Sequence, residues 1–216
     1  MINTDDNPAG FDLATVDRLL TTTRAVRRRL DLDRPVPLDL IRDCLTIALQ
    51  APTGSNAQAW RWLLVTDPGT RRALADLYQN PRRPAEPAWP APNVTSTPQQ
   101  ERVSRSAQYL TQHMAEVPVL VVPCTQVSGG AAGWPPSIYP AVWNFLLALR
   151  SRGLGSVITT VHLYREQEAA QILGVPEGYA QACLLPVAFY TGDDFHPANR
   201  LPLEEVAFLD YWGQRL

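Results

Sequence analysis

Apolar residues recur at helical spacing over several stretches and run together in short blocks between them. Leu13, Val16, Leu19 and Leu20 share one face of a helix that Asp12 would cap and that runs to about Thr22. After Pro35-Val36-Pro37, a second stripe of Leu38, Ile41, Cys44, Leu45, Ala48 and Leu49 predicts a helix to about Gln50. Asp67-Pro68 is an N-cap followed by proline at the first helical position, so a third helix runs to about Tyr78. Further helices are predicted over 98–115, over 138–152 and over 165–173, the last ended by Gly174. The helix over 138–152 is apolar round much of its circumference and belongs at the centre. The blocks 61–66, 117–123, 156–161 and 182–190 read as buried strands. With no repeat and no linker between two cores, this predicts one α+β domain over 1–216, its sheet covered by helices.

Three stretches break the pattern. Residues 1–10 read as a loose polar tail. Residues 79–98 carry prolines at 81, 84, 87, 90, 92 and 98, with Trp89 among them, and predict a lid or a surface loop. Gly129 to Gly133 is flexible, and lacks the lysine and spacing of a phosphate loop.

Composition narrows the chemistry. A net charge of −2 gives no basic excess for a general nucleic-acid or membrane-surface role. No apolar run approaches the ~20 residues of a membrane span, and the polar, acidic start shows no signal peptide. A cytoplasmic protein is expected. All 19 basic residues are arginine, so a bound phosphate would be held by guanidinium forks rather than by lysine. Cys44, Cys124 and Cys183 are far apart and odd in number, which predicts reduced thiols rather than disulfides or metal ligands. His113, His162 and His196 are too scattered for a zinc site.

Two stretches remain as candidate chemistry. Ala-Pro-Thr-Gly-Ser-Asn-Ala-Gln-Ala-Trp over 51–60 places short polar side chains on a tight connection, either a satisfied turn or a grip on a flat, polar-edged ligand. Thr23-Arg24-Ala25-Val26-Arg27-Arg28-Arg29 is either a solvated charged turn or an anion site in which Arg24 and Arg27 converge.

Together these pieces resemble the nitroreductase family of FMN-dependent oxidoreductases. Residues 23–27 are similar to its Arg-Arg-Ser-x-Arg motif, and residues 51–60 to its Ala-Pro-Ser-Gly-x-Asn-x-Gln-Pro-Trp. Arg152-Gly153-Leu154-Gly155-Ser156 with Thr159-Thr160, and Asn199-Arg200-Leu201-Pro202, follow in family order. The resemblance implies a nitroreductase-like mixed sheet of four to five strands and an intertwined homodimer with FMN sites at the interface. It also implies that Arg24, Ala25, Arg27 and Arg200 surround the FMN phosphate and the polar edge of the flavin. Pro52, Thr53, Gly54 and Asn56 would lie against the flavin or its ribityl chain. Thr159, Thr160, Val161 and His162 would face the ring near N5, where His162 is a flavin contact or a locally bonded side chain. Arg27 would stabilise charge near N1 and the C2 carbonyl with Arg200 at the phosphate, or the reverse. Thr23, Ala25 and Ala59 depart from the motifs, so FMN is expected to bind less tightly.

The implied activity is ping-pong hydride transfer from NAD(P)H through the flavin to a nitroaromatic, quinone or similar acceptor. The alternatives are an FMN-storage protein with little turnover and a flavoenzyme dedicated to one metabolite.

Overall fold

A computed structural model describes residues 10–82, 97–127 and 137–216. Most of the proline-rich stretch, Trp89 included, the glycine-rich loop and the first nine residues lie outside the described residues. The chain divides into two compact units, one formed by the chain up to Thr23 with Asp194–Leu216, the other by Arg24–Asp193.

In the first unit, helix α1 (Leu13–Thr22) ends where the Thr23 N–H and hydroxyl both bond the Leu19 carbonyl. Asp12 does not cap its backbone; the carboxylate instead accepts from the Thr15 hydroxyl at 2.6 Å. The tail contributes a one-turn helix, and the Phe208 and Trp212 rings meet with centroids 5.1 Å apart.

The larger unit contains, in order, α2 (Leu38–Ala48), β1 (Trp60–Val65), α3 (Pro68–Gln79), α4 (Pro98–His113), β2 (Val119–Gln126), α5 (Ile138–Ser151), β3 (Leu154–Gly155), α6 (Glu166–Leu173), β4 (Tyr179–Gln181) and β5 (Leu185–Phe189). Local chemistry sets the helix starts. Asp67 accepts the Thr70 N–H at 2.7 Å with Pro68 at the first turn of α3. Thr97 and Gln100 form a reciprocal capping box before α4. Gly174 closes α6 in the left-handed conformation at φ 66°.

The strands form one sheet in the order β1-β2-β5-β3, with β4 also on β2. The sheet anticipated as mixed is antiparallel at every described pairing. β2 is buried along nearly its whole length, and its outer edge is shared: Val119–Val121 pair with β5 and Cys124–Gln126 with β4. Pro123, which has no N–H to donate, falls at that break and accepts the Ala182 N–H at 2.8 Å. Helix α5 packs against α2 and against β2, as its apolar circumference requires. Phe145 is fully buried at this junction and meets Trp62 of β1 at 5.6 Å between ring centroids.

All three cysteines are buried and free. Burial pushes Cys44 and Cys124 up to about 11 and Cys183 to about 12, so these thiols stay protonated. Among the described residues no helix is long and apolar enough to cross a membrane, and no group of His, Cys, Asp or Glu could hold a metal ion.

Candidate active site

The basic turn is stitched to the sheet rather than left in solvent. Val26 is buried, and its N–H donates to the Ser156 carbonyl at 2.9 Å. Gly155 is needed there, because a Cβ on it would lie 2.9 Å from the Val26 Cβ. Four residues on, Leu30 bridges Tyr190, and the Asp31 N–H reaches the Phe189 carbonyl at 2.8 Å. The Thr191 N–H donates to the Arg29 carbonyl at 2.9 Å, and Arg29 Nε returns a bond to the Thr191 carbonyl at 2.6 Å. Arg24, Ala25 and Arg27 are therefore presented on a backbone pinned to the edge formed by β3 and β5. Arg27 is half-buried; its carbonyl accepts the Leu30 N–H at 3.4 Å, and its guanidinium makes no hydrogen bond or ion pair among the described residues. The buried hydroxyl of Ser156, whose carbonyl takes the Val26 N–H, also has no partner among them.

The connection from α2 to β1 is held in an unusual backbone state. Ser55 and Asn56 both have φ 52°, and Gln58 has φ 46°. Left-handed conformations cost non-glycine residues about 1–2 kcal/mol each, least for asparagine. The surroundings enforce them. The Asn56 N–H bonds the Thr53 carbonyl at 3.1 Å, the Ala57 N–H bonds the Gly54 carbonyl at 3.0 Å, and the Gln58 side chain donates to Asn56 Oδ1 at 3.2 Å. The Gly54 N–H donates to the Ser137 hydroxyl at the start of α5, at 3.3 Å. Pro52, Gly54 and Asn56 are exposed and Thr53 half-buried. Strain of this kind, over-determined by neighbours, accumulates where a protein meets a ligand.

The segment 156–161, anticipated as a strand, is not one. β3 stops at Gly155, Thr159 makes a single bridge to Leu184, and Val161–Arg165 is a 3-10 turn. The pairing edge is already used, since Ser156 gives its carbonyl to Val26. Thr159 Oγ1 lies 2.8 Å from the Tyr78 hydroxyl of α3. Thr160 is exposed and Val161 half-buried, while His162 has no exposed surface. Both ring nitrogens of His162 lack partners among the described residues, and burial holds its pKa down to about 4. It is a neutral imidazole at ordinary pH.

The structure thus joins Arg24–Arg27 to Gly155-Ser156, the loop over 52–58 to the start of α5, and Thr159 to both Leu184 and Tyr78. Arg200 lies in the smaller unit, exposed, with a local bond to the Asn199 carbonyl at 3.4 Å. Sequence reasoning did not single out Ser137, Ser156 or Tyr78. Ser156 alone had a signal, as the last residue of the Gly-Leu-Gly-Ser run.

The family model described as "Nitroreductase family" matches residues 20–189. The chain belongs to the nitroreductase family. Among its relatives, an NADH dehydrogenase from Thermus thermophilus is 27% identical over 89% of this chain and 97% of its own. An iodotyrosine deiodinase from Thermotoga neapolitana is 28% identical over 87% of this chain and 93% of its own. The solved FMN and NADPH-dependent nitroreductase NfnB, from sphigopyxis sp. strain HMH, superposes with a TM-score of 0.67 at 21% identity, covering 91% of this chain and 98% of that one. At that identity the likeness is one of fold.

Proposed function

We propose that this nitroreductase-family protein is an FMN-dependent oxidoreductase that takes electrons from NAD(P)H and gives them to a nitroaromatic, quinone or similar acceptor. The observation that carries the reading is the arginine turn: Arg24 and Arg27 sit on a backbone bonded to the β3–β5 edge, the Arg27 guanidinium is unpaired among the described residues, and the hydroxyl of Ser156, whose carbonyl takes the Val26 N–H, is unpartnered among them. That donor set fits a phosphorylated cofactor, and the exposed polar loop over 52–58 fits its flat, polar-edged part.

In this reading Arg24 and Arg27 supply the guanidinium contacts to the phosphate and the polar edge. Pro52, Thr53, Gly54 and Asn56 form the wall fixed by the left-handed loop. Thr159 is held in place by Leu184 and Tyr78, so Thr159, Thr160 and Val161 offer a rigid backbone rather than a mobile one. His162 is a neutral interior ring and is not an imidazolium acid near pH 7. Bound FMN supplies the two-electron chemistry between nicotinamide and acceptor, in ping-pong order.

A homodimer belongs to the same proposal. Ile47 and Leu49 at the end of α2, and Trp143 on α5, are each about two-fifths exposed. The tail is barer still, with Tyr211 at 76% and Trp212 at 93%. Large apolar side chains bared in each unit fit burial against a second copy of the chain.

The deiodinase relative supports a second reading, a flavoenzyme dedicated to one metabolite. Anaerobic mixing of the FMN-loaded protein with NADPH or NADH separates the two. Fast bleaching of the visible flavin band, reversed by a nitroaromatic or quinone, is expected. Bleaching reversed by neither class favours the dedicated enzyme, and no bleaching by either nicotinamide refutes the reductase.

A further inference from the structure

Helix α4 carries a cationic stripe that neither the core nor any described ion pair uses. Arg102, Arg105 and Tyr109 are three and four residues apart, so they fall on one face within an arc of about 60°. Arg102 and Arg105 are exposed, and their guanidinium groups make no hydrogen bond or ion pair among the described residues. Arg28, from the basic turn, places its guanidinium carbon 5.8 Å from the centre of the Tyr109 ring. Tyr109 in turn stacks on His113, at 4.3 Å between centroids. This contact brings the turn that bears Arg24 and Arg27 alongside α4 and gathers Arg28 with the stripe. Of the nearby acids, Glu116 lies 3.0 Å from His113 Nδ1, while Glu101 is next to Arg102 in sequence and one helical turn before Arg105. Asp31 is tied to the backbone N–H groups of Asp33 and Arg34, at 3.3 and 3.2 Å.

In a chain of net charge −2, unpaired guanidinium groups on one face repel one another until an anion joins them. Their planar forks match a phosphate dianion, and no lysine competes for the role. The relatives differ in the nicotinamide they are named for, NADH in one and NADPH in another. We propose that Arg28, Arg102 and Arg105 hold the 2′-phosphate of the electron donor, so that the protein takes NADPH in preference to NADH. This rests on the reductase reading above and names the residues that choose its donor.

The test pairs a binding probe with kinetics. Adenosine 2′,5′-bisphosphate and 5′-AMP are titrated calorimetrically into the FMN-loaded wild type, Arg102→Ala/Arg105→Ala and Arg105→Lys. The ratio of kcat/KM for NADPH over NADH is measured in the same proteins, with flavin content and circular dichroism confirming the fold. The bisphosphate should bind wild type at least about ten-fold tighter than AMP, and the double substitution should bring that ratio and the kinetic ratio down about ten-fold. Arg105→Lys keeps the charge and should recover part of the loss, and added salt should shrink the wild-type preference. Bleaching by either donor with ratios near one in the wild type, or unchanged in the double variant, overturns the proposal and leaves the reductase standing. No bleaching by either donor overturns both.

Discussion

His162 makes acid stability a sharp probe of the packing behind Thr159. The side chain has no exposed surface, and burial holds its pKa at about 4 against an ordinary value of 6.5. The folded state therefore keeps the ring neutral down to about pH 4, while the unfolded chain takes up a proton below about 6.5. The unfolded state binds more protons in that window, so this contribution to stability is complete above the upper pKa and is lost as pH falls through the lower one. Across the whole window the difference amounts to roughly 3 kcal/mol, with about 2 kcal/mol gone by pH 5. That is a large share of the 5–15 kcal/mol (roughly) that holds an ordinary domain together. Urea unfolding of the apo-protein and of His162→Leu, at several values between about pH 7.5 and 5, isolates the effect because carboxylate contributions are common to both. The wild type should lose about 2 kcal/mol more than the variant over that range. Parallel pH profiles would refute the assignment of a buried, neutral imidazole.

Other substitutions test the joints of the site. Gly155→Ala drives a methyl into the Val26 side chain, 2.9 Å from its Cβ, and should cost about 1–3 kcal/mol in urea unfolding; an unchanged midpoint would show that the turn is not docked there. Tyr78→Phe removes the hydroxyl bonded to Thr159 and should cost about 1 kcal/mol, read as a lowered melting temperature. Ser55→Gly relieves a left-handed residue and should stabilise the apo-protein by up to about 1 kcal/mol, whereas a loss of that size would mean the loop is not strained.

The elements with local punctuation were legible in the sequence. Asp67-Pro68, Gly174 and the all-round apolar helix over 138–151 appear where composition puts them, because caps, glycine and burial act within a few residues. No strand forms over 156–161, and the one expected over 182–190 is shorter than its apolar run. Val157, Ile158, Thr159 and Val161 carry strong strand propensity, but Ser156 gives its carbonyl to Val26, a partner far away in sequence. Of the run from Ala182 to Tyr190 only Leu185–Phe189 is a strand, because Ala182 gives its N–H to the Pro123 carbonyl where β4 and β5 share one edge of β2, and Leu184 turns its N–H and carbonyl to Thr159. Such divisions depend on which edge is already occupied, and hydropathy does not record that.

The candidate site shows the same split. The motifs pointed to Arg24, Arg27 and the loop over 52–58, since arginine and turn residues carry their chemistry openly. The left-handed φ of Ser55 and Gln58, the Ser137 hydroxyl under Gly54 and the full burial of His162 are consequences of tertiary packing. A histidine beside two threonines reads as a contact at a site; the fold makes it an interior ring instead.

The central claim is that the arginine turn holds the phosphate of a flavin. Titration of apo-protein with FMN and with riboflavin, followed by quenching of flavin fluorescence, addresses it without any donor or acceptor. The account predicts saturable FMN binding, riboflavin at least about ten-fold weaker, and loss of that difference in Arg24→Ala/Arg27→Ala. Equal affinity for FMN and riboflavin, or a difference that survives the double substitution, would contradict it.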